Sequence, residues 1–268
     1  MRYINSLTNP LIKSLRSLHE RKRRRQSGLF LAEGTRIVTE ALELGWIPET
    51  LIFLEGRDED RMIARLIRMA TDHGADIVMV SEPVLSKISR KDNPQMVVAT
   101  FKERLCEADT VFAADGAKDD HVWVVLDRVR DPGNLGTIMR TIDAVAAQGV
   151  VLVGDCCDPF SVEAVRASMG AIFNVPVAVM SEDIFIRHAR DYSGHILGTA
   201  LPASVDYRSA DWSGPMLLLM GNEQAGLTQN LMDVATGLIR MPMLGRSDSL
   251  NLAVATGVAL YEFRRHQS

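Results

Sequence analysis

Three cysteines in 268 residues, at positions 106, 156 and 157, are too few for a disulfide framework, and no two stand at the CxxC spacing of a zinc or redox site. That usage suits a reducing cytoplasm. No uninterrupted apolar stretch approaches the roughly 18 residues that a membrane helix needs. The opening stretch MRYINSLTNPLIKSLRSLHERKRRR lacks the apolar core and small-residue cleavage site of a secretory leader. The chain is therefore expected to be cytoplasmic, with no membrane association. Neither GxGxxG nor GxxxxGK[ST] occurs, which argues against nicotinamide and ATP and against a dinucleotide-dependent oxidoreductase. Histidine is scarce as well. His121, His188 and His195 lack metal-ligand spacing, so no metal site is expected.

What is present is ample core material: 47% of the residues are hydrophobic and 24% are charged, enough for two compact units. The net charge of -4 is unevenly spread. Residues 1–105 hold 18 Lys and Arg against 14 Asp and Glu, whereas residues 106–268 hold 12 against 20. The excess concentrates in Lys13, Arg16, Arg21, Lys22, Arg23, Arg24 and Arg25, interrupted by one acid, Glu20. Such a cluster suits a polyphosphate partner, because each contact releases condensed counterions. A solvated helix face explains the same run, and for a charge run taken alone it is the reading to prefer.

Along the chain, apolar periodicity predicts helices over about 8–25, 35–44 and 58–72, with strands at ETLIFLE, DIVMVSE and MVVATFK. This is a small α/β unit over residues 1–105. Periodicity lapses over 106–120, which is read as a linker. From 121 to 268 the pattern alternates strictly: HVWVVLD, a helix from Asn134, GVVLVG, a helix from Ser161, VPVAVM, a helix from about Glu182, HILGTAL, PMLLLMG, a helix from Leu227, GLIRMPM and a last helix from Ser249. The strands are continuous apolar runs, the mark of a parallel sheet covered on both faces. Ligands of such sheets bind beyond the carboxyl ends of the strands. The loops DPGNLG, GTALPAS, GNEQAGL and MLGRSDSLN therefore bear inspection.

Each loop has an architectural explanation. Asn134 and Ser249 are natural helix caps, Asn222 and Gly226 suit a turn, and Gly136 permits close packing. Architecture supplies no reason for Arg140, spaced four and seven residues from Gly136 and Gly133 and suited to an anion, or for Glu223 in its glycine-flanked loop. Taken together, N-x-G-x-x-x-R at 134–140, L-x-x-G-N-E-x-x-G-L at 218–227, and I-x-M-P-M with S-L-N-x-A-V-A at 239–255 closely resemble the SpoU (TrmH-like) branch of the SPOUT RNA methyltransferases. NPLIKSLRSL and GLFLAEGTRIVTEAL resemble the L30e-like substrate-binding domain that precedes the catalytic domain in its ribosomal RNA members.

The resemblance implies S-adenosylmethionine as methyl donor, a ribose 2′-hydroxyl of RNA, ribosomal RNA above all, as acceptor, a homodimer, and a deep trefoil knot. Topology rules alone argue against any knot. By motif, Asn134, Arg140, Glu223, Ser249 and Asn251 carry the catalytic roles, and Thr199, Gly221, Met241 and Leu250 form the donor pocket. In that context the basic residues from Lys13 to Arg25 are expected to grip RNA backbone. A catalytically inactive RNA-binding module with the same fold is the competing reading, opposed by the intact Asn134, Arg140, Glu223 and Asn251.

Overall fold

The structure, a computed structural model, describes residues 1–113, 120–200 and 205–267. Residues 114–119 of the expected linker and 201–204 of the GTALPAS loop lie outside the described residues. Two compact units emerge: Met1–Arg104 with Phe160–Asn174, and Leu105–Pro159 with Val175–Ser268.

In the first unit the chain runs β1 (Arg2–Ile4), α1 (Pro10–Ser17), α2 (Arg21–Ser27), β2 (Leu29–Glu33), α3 (Thr35–Glu43), β3 (Thr50–Leu54), α4 (Arg61–Asp72), β4 (Asp76–Val80), α5 (Glu82–Ser89) and β5 (Val97–Lys102). The sheet has the order β1-β4-β3-β5-β2. It is mixed: β4 lies parallel to β1 and β3, and β5 antiparallel to β3 and β2. Three strands stand where the apolar pattern puts them. The two edge strands escape it, because β1 is too short to show a period and LFLAE is buried almost throughout.

The helix expected over 8–25 is two helices. Asn9 caps α1 by accepting from the Leu11 amide at 2.9 Å, and Pro10 occupies the first turn, where its missing N–H costs nothing. After the buried Leu18 the backbone extends at Glu20, and α2 starts anew.

The segment 160–174 packs with this first unit although the sequence pattern assigns it to the second. Aromatic content decides the matter. The Phe30 ring meets Phe160 at 4.9 Å and Phe173 at 5.9 Å, and Trp46 Nε1 donates to the Phe173 carbonyl at 2.8 Å. From the helix Val162–Ser168, Arg166 reaches the buried Glu33 through Nε at 3.1 Å and through Nη2.

The second unit begins with α6 (Ala108–Phe112), inside the stretch read as linker; the Cys106 amide bonds the Val177 carbonyl at 2.9 Å, and Val111 joins the core. There follow β6 (Val122–Asp127), α7 (Pro132–Ala144) and β7 (Gly149–Val153); counting the helix Val162–Ser168 as α8, the chain continues with β8 (Val177–Met180), α9 (Glu182–Arg190), β9 (His195–Thr199), β10 (Val205–Asp206), β11 (Met216–Met220), α10 (Gln229–Asp233), β12 (Gly237–Arg240) and α11 (Leu252–His266). All pairings in the seven-stranded sheet, ordered β10-β12-β9-β11-β6-β7-β8, are parallel. The central strands β6, β7 and β11 are buried at every residue, as their unbroken apolar runs require. α10 starts at Gln229 rather than Leu227, with Thr228 as its cap. Among the described residues no helix is long and apolar enough to cross a membrane.

Candidate active site

The carboxyl ends of β9, β11 and β12 open onto one cavity of about 390 Å³. Thr199 at the end of β9, Gly221 after β11, and Met241 and Leu250 from the one segment that follows β12 all stand on its wall. Leu227, Ile239, Leu252 and Ala255 make much of the remainder apolar, while Glu223, Asp248 and Arg240 supply charge. A cavity of this size, apolar with a few converging polar groups, suits a small organic ligand.

Gly221 is required there by space: a Cβ would stand 2.4 Å from the Leu227 amide nitrogen and 2.5 Å from the Gly226 carbonyl carbon. Gly226 is required by conformation, at φ +66°. Between them Asn222 closes the loop on itself. Its amide donates to the Gly226 carbonyl at 3.1 Å, the Gly226 amide returns a bond at 2.9 Å, and its side-chain oxygen accepts from the Gln224 and Ala225 amides at 3.0 Å each.

Three motifs from three parts of the chain meet through side chains. Asn251 Nδ2 donates to Asn134 Oδ1 at 2.9 Å, and Asn134 Nδ2 donates to Glu223 Oε1 at 3.1 Å. The series is possible because Asn134 is not occupied as a cap. Asp131 caps α7, accepting from the Asn134 amide at 2.9 Å. Ser249 is likewise not the cap of α11; Asn251 is, accepting from the Ala253 amide at 2.9 Å and the Val254 amide at 3.3 Å. Both capping expectations are thus corrected by shifting the cap to a neighbouring residue. Ser249 lies on the cavity wall instead. Asn251 does two jobs at once, cap through Oδ1 and donor through Nδ2.

Arg140 stands apart. It is exposed on α7, does not line the cavity, and makes no hydrogen bond or ion pair among the described residues. Six residues of helix separate it from Asn134, roughly 9 Å along the axis and about 240° around it. Within one chain, then, Arg140 does not reach this cavity.

Cys157 adjoins this region. Burial, and then the charges of Cys156, Asp131, Asp158 and Glu223, push its thiol up to about 12. Burial likewise raises Cys156 to about 11. Neither is a nucleophile at neutral pH.

In the first unit, Lys13, Arg21, Lys22, Arg23 and Arg25 are exposed and Arg16 is half-buried. Arg24 is corrected: it is 3% exposed, and its Nη1 donates to the Leu18 carbonyl at 2.7 Å, so it holds the turn between α1 and α2 rather than facing a ligand. No motif flags Asp248 on the cavity wall, or Asp127 and Arg128 at the end of β6. The available signal is position alone: Asp127 ends the buried strand β6, Arg128 follows it, and Asp248 lies in the segment after β12.

Comparison with known proteins agrees with this geometry. Residues 121–261 match the SpoU rRNA Methylase family, and residues 9–99 match the MRM3-like substrate binding domain. The structure superposes on that of an AdoMet-bound rRNA methyltransferase from Sinorhizobium meliloti with a TM-score of 0.91 and 44% identity, covering 99% of this chain and 98% of the other. A 23S rRNA (guanosine(2553)-2′-O)-methyltransferase of Bacillus subtilis is 31% identical, covering 98% of this chain and 100% of its own length. A 23S rRNA (uridine(2479)-2′-O)-methyltransferase of Streptomyces viridochromogenes is 30% identical over 93% of this chain and 87% of its own. Family match, fold and converging motifs together place the chain in the SpoU rRNA methylase family.

Proposed function

We propose that the chain transfers a methyl group from S-adenosylmethionine to a ribose 2′-hydroxyl of ribosomal RNA, with residues 121–268 doing the chemistry and residues 1–105 holding the RNA. The observation that carries this is the Asn251–Asn134–Glu223 series beside a cavity lined by Thr199, Gly221, Met241 and Leu250. The cavity fits the donor. Its apolar wall suits a purine face, and Glu223 and Asp248 complement a cationic sulfonium and ammonium.

When bound, the donor supplies an already activated methyl group, so the chain's task is alignment and charge. Asn134 and Asn251 fix Glu223 in one orientation at the cavity rim. Thr199, Met241 and Leu250 hold the donor, and Gly221 lets the backbone approach it. Ser249, on the same wall, offers a hydroxyl to the acceptor strand. Arg140 serves by binding phosphate and stabilising negative charge on the ribose oxygen.

A homodimer supplies Arg140 to this site. Val254, Val258 and Tyr261 form an exposed apolar stripe at i, i+4, i+7 on α11, with Val254 53% and Tyr261 62% exposed. α11 lies against α7, as the 2.7 Å bond from Arg264 Nε to the Val145 carbonyl shows. A second copy on this face covers the stripe and carries its own Arg140 to the cavity. The trefoil knot belongs to the same proposal, supported by β12 lying between β9 and β10 while 241–250 returns to the cavity wall. Three free cysteines accord with action in the cytoplasm.

The test is incubation with methyl-labelled S-adenosylmethionine and ribosomal RNA, followed by mapping of the labelled ribose. Label at one ribose 2′-oxygen is expected. Donor binding without transfer to any RNA would make the protein a binding module.

A further inference from the structure

The GNEQAGL loop carries Glu223 and one wall of the cavity, yet its internal hydrogen bonds fix only its own shape. Besides the Asn134 bond to Glu223, two residues outside it fix its placement. Asp127, the last residue of β6, is 1% exposed. Its carboxylate takes a fork from the next residue, Arg128, with Nε to Oδ1 at 2.8 Å and Nη2 to Oδ2 at 2.9 Å, and Oδ2 also accepts from the Thr228 amide at 3.2 Å. Arg128 Nη2 donates further to the Gly226 carbonyl at 3.1 Å, and the Arg128 carbonyl accepts from Asn222 Nδ2 at 2.9 Å. The loop is thus tied at Asn222, Gly226 and Thr228 to one dipeptide.

Neighbouring residues of an extended strand point to opposite faces, so an Asp–Arg dipeptide cannot ordinarily pair. Here Arg128 adopts φ +50°, a left-handed conformation uncommon for a residue with a side chain, which brings its side chain round to Asp127. Gly154 leaves the necessary room, since a Cβ there would stand 3.1 Å from Arg128 Cγ. Strain, burial and a missing side chain all serve one arrangement.

We propose that Asp127 and Arg128 are positioning residues for methyl transfer: they act as a clamp that places the 221–228 loop, and so sets both donor affinity and the position of Glu223. The inference rests on the cavity being the donor site. A guanidinium is needed because only a planar fork engages both carboxylate oxygens while reaching a third acceptor; an ammonium can neutralise Asp127 but not span to Gly226.

The test is calorimetric titration of S-adenosylmethionine into Arg128→Met, Arg128→Lys and Ala255→Trp, with thermal midpoints and amide exchange at Gly226 and Thr228. Arg128→Met should weaken donor binding about tenfold or more and speed exchange at both amides. Arg128→Lys should recover most of the thermal midpoint but not the affinity, and it decides the matter if Arg128→Met does not fold. Donor affinity within about twofold of wild type in Arg128→Lys would overturn the clamp, leaving the pair as a buried charge and its counter-ion. Ala255→Trp fills the cavity and separates the two failures. Unchanged binding in that variant contradicts the cavity assignment, and the clamp's ligand with it, whereas lost binding there beside normal binding in the Arg128 variants overturns the clamp alone.

Discussion

Each unit buries a carboxylate at a strand end and answers it with an arginine, to different effect. In the first unit Glu33 closes β2, and Arg166 from α8 reaches it and the Ser89 carbonyl at 3.1 Å; among the described residues Glu33 Oε1 has no hydrogen-bond partner. In the second, both oxygens of Asp127 are engaged, and the arginine goes on to a loop at the cavity. One pair fastens a helix to a sheet. The other directs its spare donors to a segment that lines the cavity. A buried ion pair contributes little net stability against an apolar replacement, so what distinguishes the two pairs is what else each arginine holds.

Variants in each unit should therefore move different observables. The largest effect is expected from Arg140→Ala, with turnover lowered by about a hundredfold or more and donor affinity kept, as for loss of a contact to transition-state charge. Near-normal methyl transfer by that variant would remove its role. Arg166→Met should cost about 3 kcal/mol of stability by stranding Glu33, yet leave donor affinity unchanged, as chemical unfolding and calorimetry will show. A loss of donor affinity there would erase the contrast between the two pairs.

Asn251→Asp sharpens the contrast within the second unit. It keeps the oxygen that caps α11 and discards the Nδ2 donor to Asn134, so the thermal midpoint should hold while turnover falls about tenfold. Smaller again is the expected effect of neutralising Lys22, Arg23 and Arg25 together: weaker RNA binding with a salt slope reduced by about 2, and the donor constant unmoved. A slope as steep as wild type returns the run to a solvated helix face. Smallest is the thiol response. With Cys157 held near 12, its thiolate is scarce below that value, so at pH 8 it should react with a disulfide reagent far more slowly than a free cysteine does.

Much of this was legible in the sequence, for physical reasons. The continuous apolar runs report burial on both faces, and burial on both faces is what a parallel sheet imposes, so β6, β7 and β11 could be read directly. The loops followed from the strands, whereas the roles of Asn134, Glu223 and Asn251 came from the motif resemblance alone. Other features depend on partners distant in sequence. Arg24 looks like its basic neighbours until the Leu18 carbonyl is seen. Phe160 and Phe173 pack with Phe30, and no periodicity encodes which unit that is. The Asp127–Arg128 pair was hidden because an extended backbone would have turned the two side chains apart.

The central claim is one site built from a donor cavity of one chain and Arg140 of another. Mixing equal amounts of Arg140→Ala and Asn134→Ala chains, each inactive alone, tests it most directly. If subunits exchange and Arg140 acts across the interface, mixed dimers hold one intact site, and methyl transfer should recover to about a quarter of wild type. Exchange shown by mass spectrometry with no recovered transfer would contradict the shared site.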